Sequence, residues 1–384
     1  MFRPRNLLIL ILVAAGFLSA FLSGYFLNAY FESNQPIFSI LDQAYQIMLN
    51  HTYLDLPGRT ELEYGMIKGM LQASGDPYAS FQEPVQHELA SNNLQGRYGG
   101  IGVELSREPE DDVFIFPILD SPAAQAGIIS GDKLVSVDDL AVTPELNLDD
   151  IKAAIRGPVG SWLTLVISRE PGAIPHEFRI KREEIHLPSV TWRTIQDHPS
   201  IGLINVHIIA ETTPTELLHA VEELQALGSN KLILDLRDNG GGLLTASVEI
   251  VKLFLNEGII LQQQYRGKNV ETFSTRTPGP LTEVPLVVLI NRNTASAAEI
   301  IAGALQVHSR AQLIGEPTFG KDSVQLIFDL ADKSSLQITA AKWWIPGIDP
   351  PIGENGLRPD IPVSQGESGI DNILAAAVQN LENR

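Results

Sequence analysis

The sequence predicts an α/β protein that carries a β-rich insert behind a helical arm, and three changes of texture predict it. Over residues 37–94 apolar side chains recur at helical spacing. Over residues 97–184 short alternating runs are divided by Gly, Pro and Asp, the pattern of a small β-rich module. From residue 187 onward strand-like and helix-like segments alternate, which implies an α/β domain. The 384 residues, 44% of them apolar, are enough for two or three packed domains.

Charge and cysteine content exclude several functions. Against 46 acidic residues stand 27 basic ones, and the net charge of −19 opposes binding to a phosphate backbone. Nucleic acid is not an expected partner. With no cysteine there is no disulfide, thiol nucleophile or thiolate metal site. No two of the eight histidines have HExxH spacing, so neither a metal nor any other cofactor is expected.

The first segment, residues 1–31, holds Arg3 and Arg5 and then no charge until Glu32. Within it, LLILILVAAGFLSAFLSGYF at residues 7–26 supplies the roughly 20 apolar residues that a helix needs to cross hydrocarbon. A membrane anchor is expected, with a cleaved signal segment as the alternative. The positive-inside bias puts the rest of the chain outside the cytoplasm, on the periplasmic or extracellular side.

The helical arm, residues 32–95, follows. Phe38, Leu41, Tyr45 and Met48, then Leu62, Met66 and Met70, lie at helical spacing, and Gly75-Asp76-Pro77 makes a turn.

Residues 96–184 form the insert. Glycines at positions 99, 100 and 102 allow several backbone N–H groups to turn inward and bind a carboxylate, although a tight turn is the simpler reading of glycines alone. Combined with SPAAQAGIISGDKLVSVD at residues 121–138, the stretch resembles a PDZ domain. The resemblance implies a pocket for a peptide C-terminus, with Gly100, Ile101, Gly102 and Val103 as the matching loop, and an open strand edge that takes the peptide as an added strand.

The α/β domain, residues 185–384, contains three stretches with chemical potential. LDLRDNGGGLL runs from a strand through Gly240, Gly241 and Gly242 into a helix, whose first amides can hold an oxyanion. Without GxxxxGK[ST], a phosphate loop is disfavoured. PLVVLINRNTASAAEIIAGALQ then runs from a buried strand into a helix through a turn bearing Ser296. Taken alone, Ser296 reads first as a helix cap, a role Thr294 could equally serve, and a nucleophile is the less common reading. Glu299 in the first turn suits the helix dipole. IGEPTFGKDSVQ finally places Lys321 after a glycine turn, where a lysine is ordinarily a solvated surface charge. His308 is the tempting imidazole partner for Ser296, but helix rise puts it roughly 18 Å away.

These three stretches, with ITAAKWWIPG and GLRPDIPV, resemble the carboxy-terminal processing peptidases, the tail-specific proteases of serine peptidase family S41. ELEYGMIKGMLQASGDPYASF and the PDZ module match the same family in the same order, over about residues 36–375. The resemblance implies a crotonase/ClpP-like α/β catalytic domain with an inserted PDZ domain and an N-terminal helical arm. It also implies Ser296 as nucleophile, Lys321 as general base, Gln325 as the residue that orients the lysine, and oxyanion donors at Gly241 or Gly242 and at Ala297.

A lysine of ordinary pKa about 10.4 is neutral in roughly one molecule in a thousand or fewer at pH 7, so such a base must be desolvated. Lowering its pKa by about three corresponds to roughly 4 kcal/mol, and burial beside apolar groups such as Phe319 is the expected source. Asp322 replaces the glycine that usually follows this lysine in the family, and its carboxylate is expected to face solvent. The expected partners are protein substrates with exposed C-terminal tails and the membrane, and a homo-oligomer is left open. Two other readings compete: a PDZ adaptor with an inert peptidase-like domain, and a crotonase-like acyl-CoA enzyme.

Overall fold

The computed structural model describes residues 16–24, 38–108, 112–169, 174–366 and 371–383, and the chain divides into two compact units, residues 1–67 and 68–384. In the first unit, the helix Ser39–His51 has no buried residue. A cavity of about 470 Å³ is lined by Leu41, Tyr45, Leu62 and Met66, the apolar positions expected to share a face. Of the proposed anchor at residues 7–26, only 16–24 is described, and it is helical and exposed; the remainder lies outside the described residues. Among the described residues no helix is long and apolar enough to cross a membrane.

In the second unit, the central sheet runs in the order Val190–Ile195, His198–Val206, Lys231–Asp235, Leu286–Ile290, Gln312–Gly315, Ile361–Pro362. Its first pair is antiparallel and the other four are parallel. Side chains of a strand alternate between faces, and both faces here are covered. Leu232, Leu234, Leu286, Val288 and Ile290 pack with the helices Thr213–Ala226, Leu244–Phe254 and Ala297–Val307. Ile233, Val287 and Leu289 pack on the opposite face with Ile373, Ala377 and Leu381 of the helix Asn372–Glu382. That two-sided burial explains why Leu286–Ile290 is an unbroken apolar run.

A second sheet joins Ser80–Gln82, Ser335–Trp344, Gly258–Tyr265 and Glu271–Thr275, with Ser323–Asp329 pairing with Ser335–Trp344. The β-rich insert has its own core. Its sheet runs Val103–Arg107, Val113–Pro117, Asp132–Val137, Trp162–Ser168, His176–Lys181, and the helix Leu148–Ile155 packs Ile151 and Ile155 into that core. Ser121 caps the short helix Pro122–Gln125 by accepting the Ala124 N–H, which accounts for the serine and proline of SPAAQAG.

Candidate active site

Three parallel strands deliver three turns to one side of the central sheet, the carboxyl ends where open α/β sheets bind ligands. Leu286–Ile290 leads into Ser296, whose φ of 55° and ψ of −118° lie where side chains are strained. Two ties hold the turn against that strain. Thr294 is fully buried; its hydroxyl donates to Leu236 O at 2.8 Å and accepts the Asn291 N–H at 3.0 Å. Ala295 N–H donates to Asn239 O at 3.0 Å. Thr294, a rival cap by sequence, therefore joins the serine turn to the glycine turn.

The glycine turn lies against Ser296. A Cβ on Gly241 would stand 3.0 Å from Ser296 Cβ and 3.2 Å from Ala297 N. Gly241 and Gly242 have φ of 107° and 147°, and a Cβ on Gly242 would meet Ile209 O at 2.1 Å, so glycine is required there twice over. Of the two expected donors, Gly241 N–H is occupied, donating to Asn239 Oδ1 at 2.8 Å. Gly242 N–H and Ala297 N–H have no acceptor among the described residues, and both residues line the same cavity as Ser296. Of the expected donors, the free amides are thus those of Gly242 and Ala297.

That cavity, about 580 Å³, is also lined by Lys321, Gln325, Leu243, Phe273, Val324, Ile327 and Trp343. Burial pushes the Lys321 amine below its ordinary pKa, opposed by the negative charges of Asp76 and Glu299. Phe319 was the expected source of apolar contact, but it is 55% exposed; the ring beside the amine is Tyr78, its centroid 4.9 Å from Nζ. Among the described residues no hydrogen bond joins Ser296 Oγ to Lys321 Nζ. Gln325 lines the cavity with Lys321, but its Nε2 donates to Ser323 Oγ at 2.9 Å and Thr339 Oγ1 at 3.2 Å. The Asp322 carboxylate pairs with Lys342, 3.3 Å away.

Glu299 is the residue whose role the sequence understated. Its carboxylate is 0% exposed and accepts from Ser296 N–H at 2.8 Å, Gly320 N–H at 2.8 Å, Lys321 N–H at 2.9 Å and the Thr318 hydroxyl. It clamps the serine turn to the lysine loop. The signal was present as the S-x-x-E spacing of a capping box, whose glutamate bonds back to the cap N–H. Its further contacts, from Thr318, Gly320 and Lys321, arise only in three dimensions. His308 is engaged elsewhere, its Nε2 2.8 Å from Ile259 O.

In the insert, a groove of about 650 Å³ runs between Val103–Arg107, the free edge of its sheet, and the helix Leu148–Ile155. Val103, Leu105, Ile155 and Tyr98 line it with Glu104, Asp149, Lys152 and Arg156, Lys152 being paired with Asp149 at 2.9 Å, and Leu89 and Leu187 from outside the insert complete the wall. Of the expected loop, Gly100 pairs with Glu183, Ile101 is wholly buried in the core and Gly102 has a φ of 67°.

Comparison with known proteins agrees with this architecture. Residues 200–363 match peptidase family S41, and residues 117–169 match the PDZ domain. A carboxyl-terminal-processing protease of a Picosynechococcus species is 34% identical over 326 residues, covering 84% of this chain and 78% of that protein. A carboxy-terminal-processing protease of Bartonella bacilliformis is 35% identical over 318 residues, covering 82% and 72%. Among solved structures, the photosystem II D1 C-terminal processing protease is 27% identical with a TM-score of 0.45, covering 84% of this chain and 86% of that one. With these relatives, the adaptor and acyl-CoA readings give way. The chain belongs to peptidase family S41 and is a serine-type endopeptidase of the C-terminal processing group, with a PDZ domain.

Proposed function

We propose that this chain cuts protein substrates near their C-terminus with Ser296 as nucleophile and Lys321 as base, after its PDZ domain has taken hold of the substrate tail. The observation that carries the reading is convergence: one cavity holds Ser296 at a helix start, two free amides, and a lysine whose charge is disfavoured by burial. Neutral Lys321 accepts the hydroxyl proton as Ser296 Oγ bonds to the scissile carbonyl carbon. The lysine's flexible four-carbon stem carries the amine from its place beside Tyr78 to the hydroxyl. The carbonyl electrons move onto oxygen, where Gly242 and Ala297 N–H stabilise them. Collapse of the tetrahedral adduct breaks the C–N bond, and the lysinium proton goes to the leaving amine. Water, deprotonated by the same amine, then attacks the acyl-enzyme and releases Ser296.

Gln325 enters as a second-hand support of the lysine, through Thr339. The PDZ groove, with an open strand edge and the Arg156 guanidinium over Tyr98, suits an extended peptide ending in a carboxylate. Residues 96–184 are assigned to this module and 185–384 to the catalytic domain. The apolar run at residues 7–26 supports a membrane-anchored enzyme whose catalytic domain lies on the outer side.

The direct test compares wild type with Ser296→Ala and Lys321→Ala, as full chains in detergent, on an unfolded protein with an intact tail. Both variants should lose cleavage by about a thousandfold or more. Wild-type rates in either variant would overturn the assignment.

A further inference from the structure

The turn around Gly75-Asp76-Pro77 takes no part in the chemistry above, yet it reaches the lysine. The Tyr78 ring lies 4.9 Å from Lys321 Nζ, inside the roughly 6 Å over which an aromatic face attracts a cation. Asp76 is the foremost charge favouring the ammonium form, ahead of Glu299. The Asp76 carboxylate is not free to swing away. Asp76 Oδ1 accepts Tyr78 N–H at 3.0 Å and the Thr339 hydroxyl at 3.0 Å, and Oδ2 accepts Thr339 N–H at 2.9 Å. Although burial raises the Asp76 pKa, these bonds and that of Ala79 outweigh it and keep the carboxylate ionised. Directly after the turn, Ser80–Gln82 pairs with residues 335–337, in the same strand as Thr339. Thr339 Oγ1 in turn accepts from Gln325 Nε2. Gln325, the expected orienter of the lysine, thus connects to this turn.

We propose that Asp76 and Tyr78 are positioning residues for Lys321: the clamped carboxylate and the ring receive the amine in its protonated state between proton transfers, and they set the pH at which it becomes a base. The proposal rests on the reading of Lys321 as general base. The groups that face the amine are Asp76 and Tyr78 from the turn and Glu299 from the helix; Asp322 is held by Lys342.

Asp76→Asn keeps an oxygen acceptor and removes the charge. Without its negative partner the lysinium is less favoured, so the rising limb of kcat/KM against pH should move to lower pH by about one unit. The pH dependence of Ser296 labelling by a fluorophosphonate should move with it, independently of substrate binding. Tyr78→Leu should lower kcat about fivefold and shift the limb in the same direction, and Tyr78→Phe, which keeps a ring, should recover most of the loss. A turn that is only structural would reduce the amplitude in these variants and leave the midpoint in place. Unmoved midpoints in both Asp76→Asn and Tyr78→Leu overturn the proposal. If Asp76→Asn does not fold, the Tyr78→Leu midpoint decides alone. Lys321→Ala separates the two levels: if it keeps the limb and the labelling, the base assignment itself fails. If it abolishes both while the turn variants keep the wild-type midpoint, only the role of the turn fails.

Discussion

Glu299 and Lys321 meet through the backbone and not through an ion pair: the buried Glu299 Oε2 accepts the Lys321 N–H at 2.9 Å and the Ser296 N–H at 2.8 Å. A single carboxylate oxygen therefore fixes the separation of the two chain segments on which the proposed chemistry depends. The helix gains a cap and the lysine loop gains an anchor from the same group.

Replacing Glu299 by Ala leaves the buried Gly320 N–H and the half-buried Ser296 and Lys321 N–H groups without this acceptor, a buried orphan costing about 1–3 kcal/mol and the half-buried ones less. We expect a large fall in Tm and a drop in kcat of about a hundredfold, as the serine turn and lysine loop lose register. Glu299→Gln, which keeps one acceptor oxygen, should fall between. Thermal unfolding and single-turnover kinetics measure both effects.

The depressed lysine makes a signed prediction about stability. Burial lowers the folded-state pKa of Lys321, so between that value and the unfolded value the unfolded chain binds more protons, and stability rises with pH through this group. Lys321→Met removes the penalty. At pH 7 the variant should be inactive yet have the higher Tm, and the difference should narrow as pH approaches 10, where the unfolded lysine also loses its proton. A Tm difference constant across pH would count against burial as the cause.

Gly242→Ala is expected to be costly twice. A φ of 147° is closed to alanine, and the added carbon would overlap Ile209 O at 2.1 Å. Shifting the turn misplaces the proposed oxyanion donor, so kcat should fall by about a hundredfold or more with little change in KM.

The tail-binding role predicts a dependence on the substrate's terminus. Amidating the C-terminal carboxylate of a peptide substrate should raise KM about tenfold or more while leaving kcat near its original value, because the groove holds the tail and takes no part in bond cleavage. Steady-state kinetics on the paired peptides provide the measurement.

Much of the fold was legible because each element carries its own period or punctuation. The helix Thr213–Ala226 and the strand Lys231–Asp235 fall where strand-like and helix-like segments alternate in the sequence, and Leu286–Ile290 announces two-sided burial by its composition alone. The glycines at 241 and 242 state a backbone requirement in one dimension, since positive φ selects glycine wherever the turn ends up. Serine before a small-residue helix marks a cap, and local sequence says no more than that.

What the tertiary structure alone decided are the pairings between distant segments. Whether an amine sits in water or beside a ring depends on what folds over it, and that cover, Tyr78, comes from far earlier in the chain than Lys321. The exposed Phe319 shows how adjacency in sequence misleads here. Equally, the spacing from Ser296 to Glu299 fixes a helix cap, but the Gly320 and Lys321 amides reach that carboxylate only when the loop after Gln312–Gly315 folds against the helix. Local propensity specified the pieces because it acts between near neighbours; desolvation and shared hydrogen bonds made the site because they act through space.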